Sequence, residues 1–201
     1  LKLKTYGVNS IIIDKGRFIG GRISSREIKE TNYTNYFFHG AQFFTAKSKS
    51  FKKVIEQGIK NNFIKEFGNF HPPRFRGHKT MREFLTNLTV NLNVQQNKKI
   101  VGLKPSQKGI SVLKENIKTW QNFDAVISTI PSPQNFSLME KFPELQKTLD
   151  KSSYDSCIAL MFSFNEIPKN IPIYFDFNKK RGILSWMACG SNLNVWTAHT
   201  K

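Results

Sequence analysis

The sequence predicts an α/β fold in which two buried, parallel-type strands are separated by an antiparallel meander and accompanied by a mixed sheet of their own. Three observations carry this reading. Ile11-Ile12-Ile13 is a short β-branched run closed by Asp14 and Gly16, which suits a strand covered on both faces. Phe123-Asp124-Ala125-Val126-Ile127-Ser128-Thr129-Ile130 repeats that pattern and is closed by Pro131-Ser132-Pro133. Between them, Val94, Ile100 with Leu103, Ile110 with Val112, and Ile117 with Trp120 fall in short segments separated by polar turns, as in a meander.

The elements follow in order. The opening residues from Leu1 to Gly7 read as the last turns of a helix stopped by a C′ glycine. Residues 23–35 are polar, show no period and read as loop. Tyr36 to Ala46 is aromatic with small residues at its centre; it suits a core strand and turn, or a backbone passing close to a flat ligand. Phe51, Val54, Ile55 and Ile59 at helical spacing predict a surface helix over 48–62. A strand is expected over 63–70, broken by His71-Pro72-Pro73, and a helix over 80–88 with Met81, Phe84, Leu85 and Leu88 inward. A polar helix over 143–149 places Leu145 and Leu149 inward. Strands over 158–164, 173–175, 183–187 and 194–199 make up the mixed sheet.

Composition narrows the function classes. The chain has 201 residues, 39% of them hydrophobic, enough for a core in one domain or two interleaved ones. A net charge of +17 raises nucleic acid as a partner, but the lysines are scattered and no run of five or more basic residues occurs. Nucleic acid is therefore not the expected partner, although a basic module for nucleic acid or acidic surfaces stays as the alternative. No apolar stretch reaches the roughly 18 residues of a membrane helix, so no membrane is expected. Cys157 and Cys189 are too few for a disulfide framework or a thiolate metal site, and the cytoplasm is the expected compartment. His39, His71, His78 and His199 lack metal-ligand spacing, so no metal is expected.

Chemistry gathers after the first strand. An acid at the carboxyl end of a parallel strand can accept hydrogen bonds from ribose hydroxyls, and Asp14 stands at that place. Gly20-Gly21 would let backbone N–H groups approach a phosphate, and Arg22 would add a charge-assisted contact. No Gly-x-Ser-x-Gly elbow occurs, and Cys157 adjoins a strand, so hydrolase chemistry finds no support. His199 reads as a satisfied edge histidine rather than as a base. Adenine-nucleotide binding is the constellation that coheres. In such folds a Gly-x-Gly-x-x-Gly turn lies about 20 residues before the ribose-binding acid. Counting back from Asp14 puts it before Leu1, so the sequence is expected to be a fragment.

Asp14-Lys15-Gly16-Arg17 with Gly20-Gly21-Arg22, then His39-Gly40-Ala41-Gln42-Phe43-Phe44, then Phe123 to Gln134, resembles the renalase-type NAD/FAD-dependent oxidoreductases of the flavin amine-oxidase-like group. The resemblance implies FAD bound by an incomplete Rossmann-like domain with a β-meander, over 1–46 and 89–135, interleaved with a mixed-sheet substrate domain over 47–88 and 136–201. It implies that Asp14 holds the adenosine ribose and that Lys15, Gly20, Gly21 and Arg22 belong to the cofactor site along the pyrophosphate and ribityl region. Ile100 would meet the adenine through its backbone, near Thr129 and Pro131; Gly40, Ala41, Gln42 and Phe43 would line the isoalloxazine. The implied activity is oxidation of a C–H bond next to nitrogen, in a dihydronicotinamide or an amine, by hydride transfer to flavin. Gln42, Trp186 and His199 are the candidate catalytic residues, with Trp186, Trp196 and Phe43 as apolar walls. The fragment alone is expected to bind FAD poorly and to be inactive. A relative that has lost catalysis would read the same.

Overall fold

The structure, a computed structural model, describes residues 2–29, 34–167, 169–178 and 182–201. Leu1 of the expected opening helix and residues 30–33 of the expected loop lie outside them. The chain begins with α1 (Lys2–Thr5) and β1 (Ile11–Ile13), followed by a 3-10 turn (Gly21–Ile23), β2 (Arg26–Lys29) and β3 (Thr34–Phe37). Next come α2 (Lys49–Lys60), β4 (Ile64–Glu66), β5 (Phe75–Gly77), α3 (Met81–Thr89) and β6 (Asn93–Gln95). The meander is β7 (Ile100–Ser106), β8 (Gly109–Lys114) and β9 (Gln121–Phe123), followed by α4 (Ser132–Asn135), a 3-10 turn and α5 (Pro143–Asp150). The last strands are β10 (Ala159–Ser163), β11 (Tyr174–Asp176), β12 (Leu184–Cys189) and β13 (Val195–Thr200). This is a mixed α/β chain with several small sheets, and it divides into two compact units.

One unit comprises Gly7–Arg17 and Asn93–Asp155. β1 and β6 pair in parallel, with Ile12 opposite Val94, so Val94 belongs to this ladder and not to the meander. The apolar spacing around Val94 is the same for either kind of pairing; only the distant partner decides. The meander core is Leu103, Val112, Leu138 and Met139, against which Ile100, Phe123 and Leu149 pack. Its third strand lies at β9, not at 117–120, because Trp120 is held at the side of β7 under Lys104, whose ammonium is 4.2 Å from the ring centroid. Two expected burials fail here. Ile11 and Ile12 are each 39% exposed, and residues 124–130 form no strand, with Ile127 74% exposed. β1 has a ladder partner on one edge, and 124–130 has none among the described residues. Leu145, expected inward, is also exposed.

The other unit comprises Leu1–Tyr6, Phe18–Leu92 and Ser156–Lys201. Its largest sheet runs β10-β13-β12-β11, and every pair is antiparallel. The expectation of a mixed sheet is thereby corrected: β12 and β13, joined by a short turn, fold back on one another, and β10, distant in the chain, also meets β13 antiparallel. Phe67, Ala188, Cys189 and Trp196 form the core beneath it. β2 and β3 pair antiparallel, and β2 with the start of β3 falls where the sequence reads as loop. All four residues of β2 are exposed, so no alternation marked it. Residues 63–70 yield only the short β4, paired with β5.

The helices stand where their caps put them. The Ser48 hydroxyl accepts from the Phe51 N–H at 3.2 Å, and Thr80 accepts from the Glu83 N–H at 3.1 Å. α2 then buries Ile55 and Gly58, and α3 buries Met81 and Phe84. Ser25 fastens α3 to the segment after the 3-10 turn: its hydroxyl accepts from the Met81 N–H at 3.2 Å, and its carbonyl from Arg82 at 3.0 Å.

Candidate functional site

The residues singled out from the sequence divide between the two units, and each set has its own geometry. Asp14, Lys15, Ile100, Thr129 and Pro131 lie in the unit that carries β1. Asp14 follows the last residue of the strand, and its N–H donates to the Gln95 carbonyl at 2.9 Å, extending the parallel ladder by one rung. Its Oδ1 accepts from the Gly16 N–H at 2.7 Å, which closes an Asx turn. Oδ2 has no hydrogen bond to the described residues and can serve a hydroxyl-bearing ligand. Lys15 reaches Gln134 at 3.0 Å. Ile100 and Thr129 both line an apolar groove of about 160 Å³, whereas the Pro131 carbonyl is occupied by the N–H groups of Gln134 and Asn135 at the start of α4.

Gly20, Gly21, Arg22, Gly40, Ala41, Gln42, Phe43, Trp186 and His199 lie in the other unit. Gly20 and Gly21 have φ of 121° and 50°, in the region that favours glycine, and they turn the chain into the 3-10 segment that carries Arg22. A Cβ at Gly21 would meet nothing within 4 Å, so this backbone is open on one side. Gly40 is the opposite case. A Cβ there would stand 2.0 Å from the Arg22 carbonyl oxygen, and the Ala41 N–H donates to that same oxygen at 3.0 Å. The two glycine-bearing motifs, 18 positions apart in sequence, are thus pressed backbone against backbone.

Gln42 is 4% exposed. Its amide nitrogen donates to the Phe38 carbonyl and lies 3.4 Å from that of Gly40, while its Oε1 is buried without a partner among the described residues. The side chain therefore braces the Phe38-to-Gln42 turn. Phe43 stacks on Phe67 at 5.9 Å, meets the edge of Tyr174 at 5.6 Å and takes the Arg74 guanidinium at 4.2 Å over its ring.

His199 is placed by two contacts. Its Nε2 is 2.9 Å from the His39 carbonyl, and because a carbonyl only accepts, Nε2 carries the hydrogen. Trp186 covers the ring at 4.0 Å between centroids. The His39 ring reaches the Ser24 hydroxyl at 3.2 Å. Burial lowers the pKa of both histidines; Arg26 and Arg82 lower that of His39 further, and in His199 the bond to the His39 carbonyl works the other way. Both imidazoles are neutral at neutral pH.

Sequence reasoning missed Ser24, His39 and the paired arginines of β5 and its approach. Arg74 lies over Phe43, Phe70 and Tyr174, and Arg76 lies over Phe67 while donating to the Cys189 carbonyl at 3.2 Å. Arg74-Phe75-Arg76 has the period-two spacing that sends both arginines to one face of a strand, and that was the available signal. The free thiol of Cys189 is buried and its pKa raised by that burial; Cys157 is exposed. Among the described residues no cluster of metal-ligating side chains occurs, and no helix is long and apolar enough to cross a membrane.

No family model matches the chain, and no curated protein matches it. Among solved structures, one described as "Putative protoporphyrinogen oxidase from Exiguobacterium sp. 255-15" is similar over 66% of this chain at 13% identity, with a TM-score of 0.45. The chain spans 32% of that protein, about a third of its length. A likeness of that degree carries no inference about the chemistry of this chain.

Proposed function

We propose that the chain is part of an FAD-dependent oxidoreductase of the flavin amine-oxidase-like, renalase-type group, acting on a C–H bond next to nitrogen in a dihydronicotinamide or an amine. The observation that carries the proposal is the junction of Gly20-Gly21-Arg22 with Gly40-Ala41. Glycine is required there at one position by φ and at the other by a backbone 2.0 Å from any Cβ, and the turn leaves the Gly21 face open to a flat or phosphorylated ligand. The residues fit the cofactor in kind. Asp14 Oδ2 is available for ribose hydroxyls, the Arg22 guanidinium suits a pyrophosphate, and the small residues Gly40 and Ala41 permit close stacking.

FAD, when bound, supplies the hydride acceptor. The chain's own residues bind, orient and exclude water. His199, neutral and with Nε2–H committed to the His39 carbonyl, offers Nδ1 as an acceptor that can orient a substrate N–H. Trp186 shields that ring. No residue is assigned as a general base, because a substrate nitrogen that is already neutral needs none. Under this reading the FAD-binding part spans 1–46 and 89–135 and the substrate part spans 47–88 and 136–201. Anaerobic mixing of the whole protein with isomeric dihydronicotinamides and with amines tests the proposal. Bleaching of the flavin bands by one class assigns the substrate; a bound flavin that neither class bleaches overturns the reaction.

A further inference from the structure

We propose that the groove between α5 and the paired strands β7 and β8 is a binding site for a small uncharged molecule with an apolar body and one carbonyl group. Its two main walls are apolar. Leu103 of β7 and Ile110 of β8 form one; Phe142, at the N-cap of α5, forms the other with Leu145 and Leu149. The spacing of these three residues sets them on one face of the helix. An amphipathic helix ordinarily buries such a stripe, yet α5 has no buried residue and Leu145 is 54% exposed. The stripe faces a space of about 260 Å³ instead. A cavity of roughly 150 Å³ takes benzene, so this one has room for a single ring with a short substituent.

A polar pair in the wall selects the ligand. Asn135, the last residue of α4, lines the groove and is 4% exposed. The Ser128 hydroxyl donates to its Oδ1 at 2.9 Å, and nothing among the described residues accepts from its Nδ2. That nitrogen is not sealed from solvent, so it opens on the groove that the residue lines. The Thr148 hydroxyl, also in the wall, is committed to the Glu144 carbonyl at 3.1 Å. Nδ2 is therefore the free side-chain donor of an otherwise apolar surface, and a donor there is costly to leave unpaired once a ligand has expelled the water. No Lys, Arg or His lines the groove, so a carboxylate would be desolvated without a counter-charge. A ketone, aldehyde or ester carbonyl accepts from Nδ2 without that cost. None of these residues belongs to the proposed flavin set, so the inference stands whether or not the cofactor reading holds.

Nuclear magnetic resonance titration of the whole protein with acetophenone tests this, with ethylbenzene as the carbonyl-free counterpart and benzoate as the charged one. Acetophenone is expected to shift the Leu103, Met139 and Leu149 methyls and the Asn135 side-chain amide saturably. It should bind about 5- to 10-fold more tightly than ethylbenzene, as one neutral hydrogen bond allows, and benzoate should bind more weakly than either. Asn135→Leu is expected to remove the ketone's advantage while ethylbenzene still binds, which also shows that the variant folds. The order of the three probes on the native protein decides by itself if that variant does not fold. Failure of acetophenone to saturate these signals overturns the proposal, as does equal affinity for ethylbenzene, a preference for benzoate, or a ketone preference that survives Asn135→Leu. Groove signals that move on dilution with no probe present assign the groove to a second copy, with the same consequence.

Discussion

Gly40 is the residue at which packing and site meet. With a Cβ 2.0 Å from the Arg22 carbonyl oxygen, Gly40→Ala must displace backbone, and it is expected to cost about 3 kcal/mol or more in urea unfolding. A loss below about 1 kcal/mol would mean that the two motifs are not locked together. The histidines make a second test. Their folded pKa values lie below the ordinary 6.5, so the unfolded chain takes up protons first; stability is intact above that value and falls as the pH drops beneath it. His39→Gln with His199→Gln is expected to flatten the loss of urea midpoint between about pH 7.5 and 5.5, and an unchanged slope would place the acid sensitivity elsewhere. Of this residue-scale detail, the glycines and Asp14 were legible because turn chemistry is local. The Ser24–His39 contact, the His39–His199 contact and the arginines over the aromatic rings were not, since each depends on segments far apart in the chain.

Among the elements, legibility followed the reach of the forces. α2 and α3 could be read to within a residue or two, because an N-cap and a 3.6-residue apolar stripe are both written in consecutive residues. Ser48→Ala is expected to lower stability by about 1 kcal/mol, seen as an earlier thermal midpoint with no change in any bound flavin. A loss of flavin on that change would show α2 to be coupled to the site. The C-terminal strands were legible as apolar runs, but their direction was not, since antiparallel pairing at β12–β13 is set by the partner and not by the run. β2 was invisible because a strand exposed on both faces carries no alternation. Ile11 to Ile13 and residues 123–130 failed in the opposite sense: their sequences predict more burial than the structure gives them.

At the scale of the molecule, the candidate cofactor residues are shared out between two compact units, each of which crosses the boundary of the other along the chain. Interleaving of this kind makes neither unit readable as a continuous stretch of sequence. Composition could say that no apolar stretch has the length of a membrane helix, but it could not say which distant segments pack together. The central proposal is that the protein binds FAD and that Asp14 holds its adenosine ribose. Its most direct measurement is flavin retained by the whole protein after FAD addition and desalting, read from the flavin absorption bands and compared with Asp14→Ala. The account predicts stoichiometric flavin in the native protein and affinity weakened about 10- to 100-fold in the variant, the cost of a charge-assisted hydrogen bond to ribose. A folded whole protein that retains no flavin, or an Asp14→Ala variant that binds it as tightly as the native chain, would contradict it.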